Sequence, residues 1–293
     1  MKINNKILVA LAAMSVITLI TGCSTSTVQT QKNETISTVT SIDGSSINYG
    51  VSGEGEITIV FVHCWTCNHE FWSPQIEYFS NKYKVVWLDL AGHGLSASNR
   101  QAYTMQAFGE DVAAVVNKID EKNIVLVGHS MGGPVAIEAA KILGNKVIGV
   151  VGVDTFYTPF KYPKSEADIA GFVKPFENDF KGTSEQMVRS MFTTKAAPEL
   201  ITSIVKQMSV VNPEMGVSAM YEIFRWNAKN FPSALNMYPK KLRNINGAPT
   251  GKEKALHKSV TLILDVGHFV AQVKPDEFNK VLDQIILEYQ VQK

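Results

Sequence analysis

Asn123-Ile124-Val125-Leu126-Val127-Gly128-His129-Ser130-Met131-Gly132-Gly133-Pro134 is the stretch around which the 293-residue chain is ordered. A run of β-branched and leucine residues, the composition of a buried strand, stops at Gly128. Val135, Ile137, Ala139, Ala140, Ile142 and Leu143 follow with helical spacing, so the segment reads strand, sharp turn, helix. Gly-x-Ser-x-Gly in that setting is a nucleophile elbow, in which flanking glycines permit a strained turn that lifts the serine hydroxyl clear of the sheet. Ser130 is the expected nucleophile.

Three further stretches stand in order around it: Phe61-Val62-His63 before an aromatic, Leu88-Asp89-Leu90-Ala91-Gly92-His93-Gly94 after a strand, and Gly267-His268-Phe269 near the end. With the elbow, these resemble the α/β-hydrolase family, and its small-esterase and haloperoxidase-like branch in particular. The likeness runs from about Ile36 to the C-terminus. It implies an α/β fold with a mostly parallel, doubly wound sheet and a helical cap inserted after the strand ending at Asp154.

Bulk composition agrees with a folded globular domain. Hydrophobic residues make up 45% and charged residues 19%, as expected of a globular chain with a full core. Removing residues 1–22 takes away Lys2 and Lys6 and turns the formal charge from +1 to −1. That balance holds no basic patch for nucleic acid. No nucleotide fingerprint, P-loop or metal motif is present, so no cofactor and no metal are expected.

Lys2 and Lys6 precede a mostly apolar run, Ile7 to Ile20, that is too short to span a bilayer comfortably and reads as a signal peptide. Leu19-Ile20-Thr21-Gly22-Cys23 looks like a bacterial lipobox, which implies cleavage before Cys23 and lipidation of its thiol. The expected organisation is a signal peptide at 1–22, a lipidated Cys23 with a polar tether over 23–35, and the hydrolase domain over 36–293. The expected location is extracytoplasmic, membrane-anchored through lipid.

Along the domain, Asp43-Gly44 marks a hairpin within Ile36 to Tyr49, and Ile57 to Val62 and Tyr83 to Leu90 read as buried strands. Thr104 to Ile119 reads as an amphipathic helix, and Lys146 to Val153 as another buried strand. Over 155–236 the strand rhythm gives way to helices, one opening at Asn212-Pro213 and running to about Trp226. In the resembled family this is the cap that roofs the pocket. Leu242 to Asn246 is short and polar for a strand, Val260 to Asp265 is a good one, and Pro275 to Tyr289 is a final helix.

A serine nucleophile needs a base, and the base an orienting acid. Among six histidines, His268 stands directly after the last strand, where the resembled family keeps its catalytic imidazole. His63 and His93 match structural positions of the family, His129 points away from the nucleophile, and His69 and His257 are expected to face solvent. The family's usual acid position, after the penultimate strand, reads Ile245-Asn246-Gly247-Ala248-Pro249 and has no carboxylate. Some members carry the acid one strand earlier, which selects Asp154; Glu253 or no acid at all are the alternatives. By resemblance, the oxyanion hole comes from the N–H groups of Met131 and Trp65, although Cys64 stands where the family writes glycine. Cys64 and Cys67 form C-x-x-C, read as free thiols or a simple disulfide ahead of a zinc site, because no second ligand pair stands at suitable spacing.

The expected function is therefore a serine hydrolase acting on small to medium carboxylic esters through an acyl-enzyme. Serine at the elbow argues against the epoxide hydrolase and haloalkane dehalogenase chemistries of the family, which use a carboxylate. The alternative is a membrane-anchored ligand-binding or sensing protein on the same fold.

Overall fold

The computed structural model describes residues 35–231, 233–236 and 241–291. The expectations for the signal peptide, Cys23 and most of the tether lie outside the described residues. Eight strands form one sheet in the order β1-β2-β4-β3-β5-β6-β7-β8. They are β1 (Thr35–Thr40), β2 (Ser46–Ser52), β3 (Thr58–Val62), β4 (Lys84–Leu88), β5 (Ile124–His129), β6 (Val147–Val153), β7 (Leu242–Ala248) and β8 (Val260–Leu264). β1 and β2 form the expected hairpin and β2 joins β4 antiparallel; every other pairing is parallel.

Successive side chains of a strand point to opposite faces, so a strand buried on both sides must be apolar throughout. β3 shows this directly. Val60 and Val62 pack on one face with α2 (Met105–Ile119) and α3 (Gly132–Leu143), through residues such as Phe108, Val112 and Val135. Ile59 and Phe61 pack on the other with Phe79 of α1 (Ser73–Phe79) and with Phe278, Leu282 and Ile286 of α10 (Pro275–Val291). The short α9 (Val270–Val273) leads into α10.

Among the described residues, five helices lie between β6 and β7: α4 (Glu166–Asn178), α5 (Phe180–Ser190), α6 (Pro198–Ser209), α7 (Pro213–Asn230) and α8 (Ser233–Asn236). α7 opens where expected, with Asn212 Oδ1 accepting from the N–H groups of Glu214 at 2.8 Å and Met215 at 3.3 Å. It extends to Asn230, beyond Trp226. β7 is longer than its polar sequence implies, because its buried asparagines find partners. Asn244 Nδ2 donates to Ser259 Oγ at 2.9 Å and Asn246 Nδ2 to the Phe156 carbonyl at 2.9 Å.

Candidate active site

All the proposed reacting groups lie at the carboxyl ends of parallel strands, the usual location of sites in open α/β sheets. Ser130 follows β5 with φ +53°, a left-handed conformation that few non-glycine residues adopt. Its N–H donates to the Val153 carbonyl at 2.9 Å, which fastens the turn to the neighbouring strand. A side chain at Gly128 would run into the Gly132 carbonyl, so the elbow can close only with glycine there. The helix begins one residue past Met131, whose side chain is buried.

Asp154 follows β6, also at positive φ (+44°). Its Oδ2 lies 2.7 Å from His268 Nδ1, and its Oδ1 accepts the Gly247 N–H at 2.9 Å. Both oxygens are therefore held, one by the imidazole and one by the backbone at the end of β7. Thus β7 supplies a donor that orients an acid carried on β6. The alternative acid, Glu253, is exposed and accepts the Gly251 N–H at 2.6 Å in its own loop.

His268 is placed by two contacts that the motif alone does not disclose. Its N–H donates to the Met191 carbonyl, just past α5, at 3.0 Å. Its own carbonyl accepts from Nε2 of His129 at 3.0 Å, so that ring is a neutral Nε2–H donor. Burial, with the nearby His268, pushes the His129 imidazole well below its usual pKa, as a neutral donor requires. Any side chain at Gly267 would meet the same Met191 carbonyl.

Ser130, Asp154 and His268 line one cavity of about 480 Å³, walled by Trp65, Tyr162, Phe172, Met187, Met191, Met220 and Phe224 among others. The inserted helices supply most of this apolar lining. The structure thus brings Asp154 and His268 into contact and sets Ser130 on the same wall. The Ser130 hydroxyl makes no hydrogen bond among the described residues, an open arrangement common in sites without substrate. Lys252 and Tyr162, which sequence reading did not single out, also face this cavity.

The loop after β3 takes one of its two expected forms. Cys64 and Cys67 are joined by a disulfide with Cα atoms 5.2 Å apart, which leaves neither sulfur for a metal. Cys64 keeps an ordinary negative φ, and the left-handed residue of the loop is Thr66 at +57°. Among the described residues, the N–H groups of Trp65 and Met131 are paired with no acceptor. His63 is structural: its Nδ1–H donates to the Cys64 carbonyl at 2.8 Å and its Nε2 accepts the Leu90 N–H at 3.0 Å. His69 is not turned to solvent, since its Nδ1 lies 2.8 Å from the fully buried Asp89.

Residues 57–203 match the profile of a family described as alpha/beta hydrolase fold. Three curated relatives are matched over 56%, 66% and 36% of their own length, so the chain spans only part of them. The last is a non-heme chloroperoxidase of Streptomyces lividans, 36% identical over 98 residues, or 33% of this chain. Among solved structures, a thermophilic esterase from Thermogutta terrifontis superposes with a TM-score of 0.72 at 21% identity, covering 87% of this chain and 99% of that one. An N-acyl homoserine lactone degrading enzyme, Est816, gives 0.68 at 25% identity over 85% of this chain and 99% of that one. With a profile match that spans half its length and the sheet order already described, the chain belongs to the α/β-hydrolase fold family.

Proposed function

We propose that the chain is a serine hydrolase that cleaves small to medium carboxylic esters through an acyl-enzyme. The observation that carries this reading is the 2.7 Å contact between His268 and Asp154 on the wall of the cavity that Ser130 also lines. In the reaction, Ser130 Oγ attacks the ester carbonyl carbon and its proton passes to His268 Nε2. Asp154 holds the imidazole in the required tautomer and stabilises the imidazolium. The oxyanion lies against the N–H groups of Met131 and Trp65, each worth about 3 kcal/mol of barrier. The proton then leaves with the alcohol. Water, deprotonated by the same imidazole, releases the acid and restores Ser130.

The phenylalanine and methionine lining suits an acyl chain, and a cavity of this size lies within the small-molecule range. The lactone-degrading neighbour brings cyclic esters into the same chemistry as a second substrate shape. The lipobox-like Leu19 to Cys23 supports an extracytoplasmic domain tethered through lipid, and a disulfide suits that oxidising side of the membrane. Cys23→Ser should release the protein from membrane fractions, and unchanged partition would sink the anchor.

The test of the reaction is hydrolysis of p-nitrophenyl esters from acetyl to dodecanoyl, and of an N-acyl homoserine lactone, by the domain from Ser24 onward. Ser130→Ala should lower turnover on the order of a millionfold, and the preferred chain length would size the pocket. Equal inertness of the folded wild type and variant would instead leave a ligand-binding or sensing protein.

A further inference from the structure

We propose that the Cys64–Cys67 disulfide is a positioning device that holds the Trp65 N–H toward the reacting carbonyl, so that turnover depends on the oxidation state of this pair. The inference rests on the serine hydrolase reading and concerns the same site.

The bridge closes a small ring around Trp65 and Thr66, directly after β3 delivers the chain to the cavity. The four loop residues Cys64 to Cys67 are all buried, but a single backbone hydrogen bond spans the turn itself. The Cys67 N–H donates to the Cys64 carbonyl at 3.2 Å, and that carbonyl also accepts from His63 Nδ1 at 2.8 Å. Thr66 stands at φ +57°, which a β-branched residue adopts only when its surroundings hold it there, and its buried hydroxyl has no hydrogen-bond partner. The covalent link is the constraint that makes such a turn persist. Without it the turn can relax, and the Trp65 N–H turns with it.

The far side of the loop is fastened through the indole. Trp65 Nε1–H donates to the Gly216 carbonyl of α7 at 2.8 Å, and the ring meets Phe176 at 5.8 Å and Phe180 at 5.7 Å. The side chain is thus anchored to the inserted helices, whereas the backbone N–H depends on the disulfide. Cys64 lines the cavity, while Cys67 lies in the wall of a separate recess of about 300 Å³ that also holds Asn68, Gln207 and Asn212. Both cysteines are buried, at 1% and 2% exposure, so a dithiol reaches the bridge when the wall of that recess opens; it then attacks one sulfur and forms a mixed disulfide. Its second thiol then closes on the first, giving two protein thiols and one cyclic disulfide.

The experiment compares oxidised wild type with wild type reduced by dithiothreitol, complete reduction being verified by thiol count, and with Cys64→Ser/Cys67→Ser. All are normalised to sites labelled by a fluorophosphonate. The expected result is a fall in kcat of roughly 10- to 100-fold with KM changed less than twofold, since an oxyanion donor acts on the transition state. Inhibition by phenylboronic acid, whose serine adduct is tetrahedral, should weaken in parallel with kcat. Reoxidation should restore both. Unchanged kcat in fully reduced wild type or in the folded double variant overturns the proposal, as does a KM that moves as far as kcat. If oxidised wild type lacks Ser130-dependent turnover, the hydrolase reading itself has failed, and this inference with it.

Discussion

Among the described residues, two histidine–carboxylate pairs have nearly equal length, and one of them lines the cavity of the candidate site. His268 Nδ1 and Asp154 Oδ2 are 2.7 Å apart; His69 Nδ1 and Asp89 Oδ1 are 2.8 Å apart. Asp89 is saturated, because it also accepts the N–H groups of His69 at 2.8 Å and Leu95 at 2.9 Å. Burial pushes its carboxyl up, but the His69 contact, His63 and the Leu95 N–H together hold it below the usual carboxylate range. The His69 ring lies flat on Trp87 with centroids 3.9 Å apart. His268 instead lines the cavity that Ser130 and Asp154 also line, whereas His69 does not. The difference teaches that a dyad distance alone does not mark a candidate site; a shared cavity with a possible nucleophile does.

The strongest way to break this contrast is Asp154→Asn. The asparagine carbonyl can still accept the Gly247 N–H, so the fold should survive while the imidazole loses its orienting anion. Turnover should fall about 10⁴-fold with an unchanged thermal midpoint, and intact activity would refute the assignment. Asp89→Asn should do the reverse. An amide there sets donors against backbone N–H groups, and unfolding by urea should show a loss of about 2–3 kcal/mol, with kcat per folded site close to wild type. A tenfold loss of kcat per folded site would move His69 and Asp89 into the catalytic apparatus.

The smallest effect separates structural imidazoles by pH. Burial and the neighbouring His63 push His93 down to about 3. Between that value and the unfolded pKa near 6.5, the unfolded chain binds more protons than the folded one. Stability present above about pH 6.5 is therefore lost as pH falls, by about 1.4 kcal/mol per unit for such a group. Denaturation curves at pH 7 and pH 5 should show the decline, and His93→Asn should make it shallower. An identical slope in the variant would remove His93 as its source.

Features with a local cause were legible from sequence. The elbow at Ser130, the strand buried on both faces before it and the asparagine cap of α7 each rest on neighbours within a few positions. The choice of Asp154 over Glu253 rests on the family resemblance, since some members carry the acid after this strand, and its contact with His268 spans 114 residues. The residues that hold the site were not legible. The stretch Leu242 to Asn246 reads as short and polar for a strand because the Phe156 carbonyl that satisfies Asn246 lies 90 residues away. His69 read as solvent-facing because Asp89 is brought to it by a neighbouring strand of the sheet. The bridge between Cys64 and Cys67 was one of two equal readings, since spacing alone does not distinguish thiols from a disulfide.

The hydrogen bond from the His268 N–H to the Met191 carbonyl has a consequence for how such enzymes diversify. The helices that line the cavity also carry a backbone strut for His268, so under the proposed function recognition and chemistry are not separate modules in this chain. Side-chain replacements at Met187 or Phe224 can change the guest without touching the strut. A one-residue insertion or deletion between α5 and Phe192 would move the carbonyl, and a transplanted set of helices keeps its host working only if it presents an acceptor at the same place.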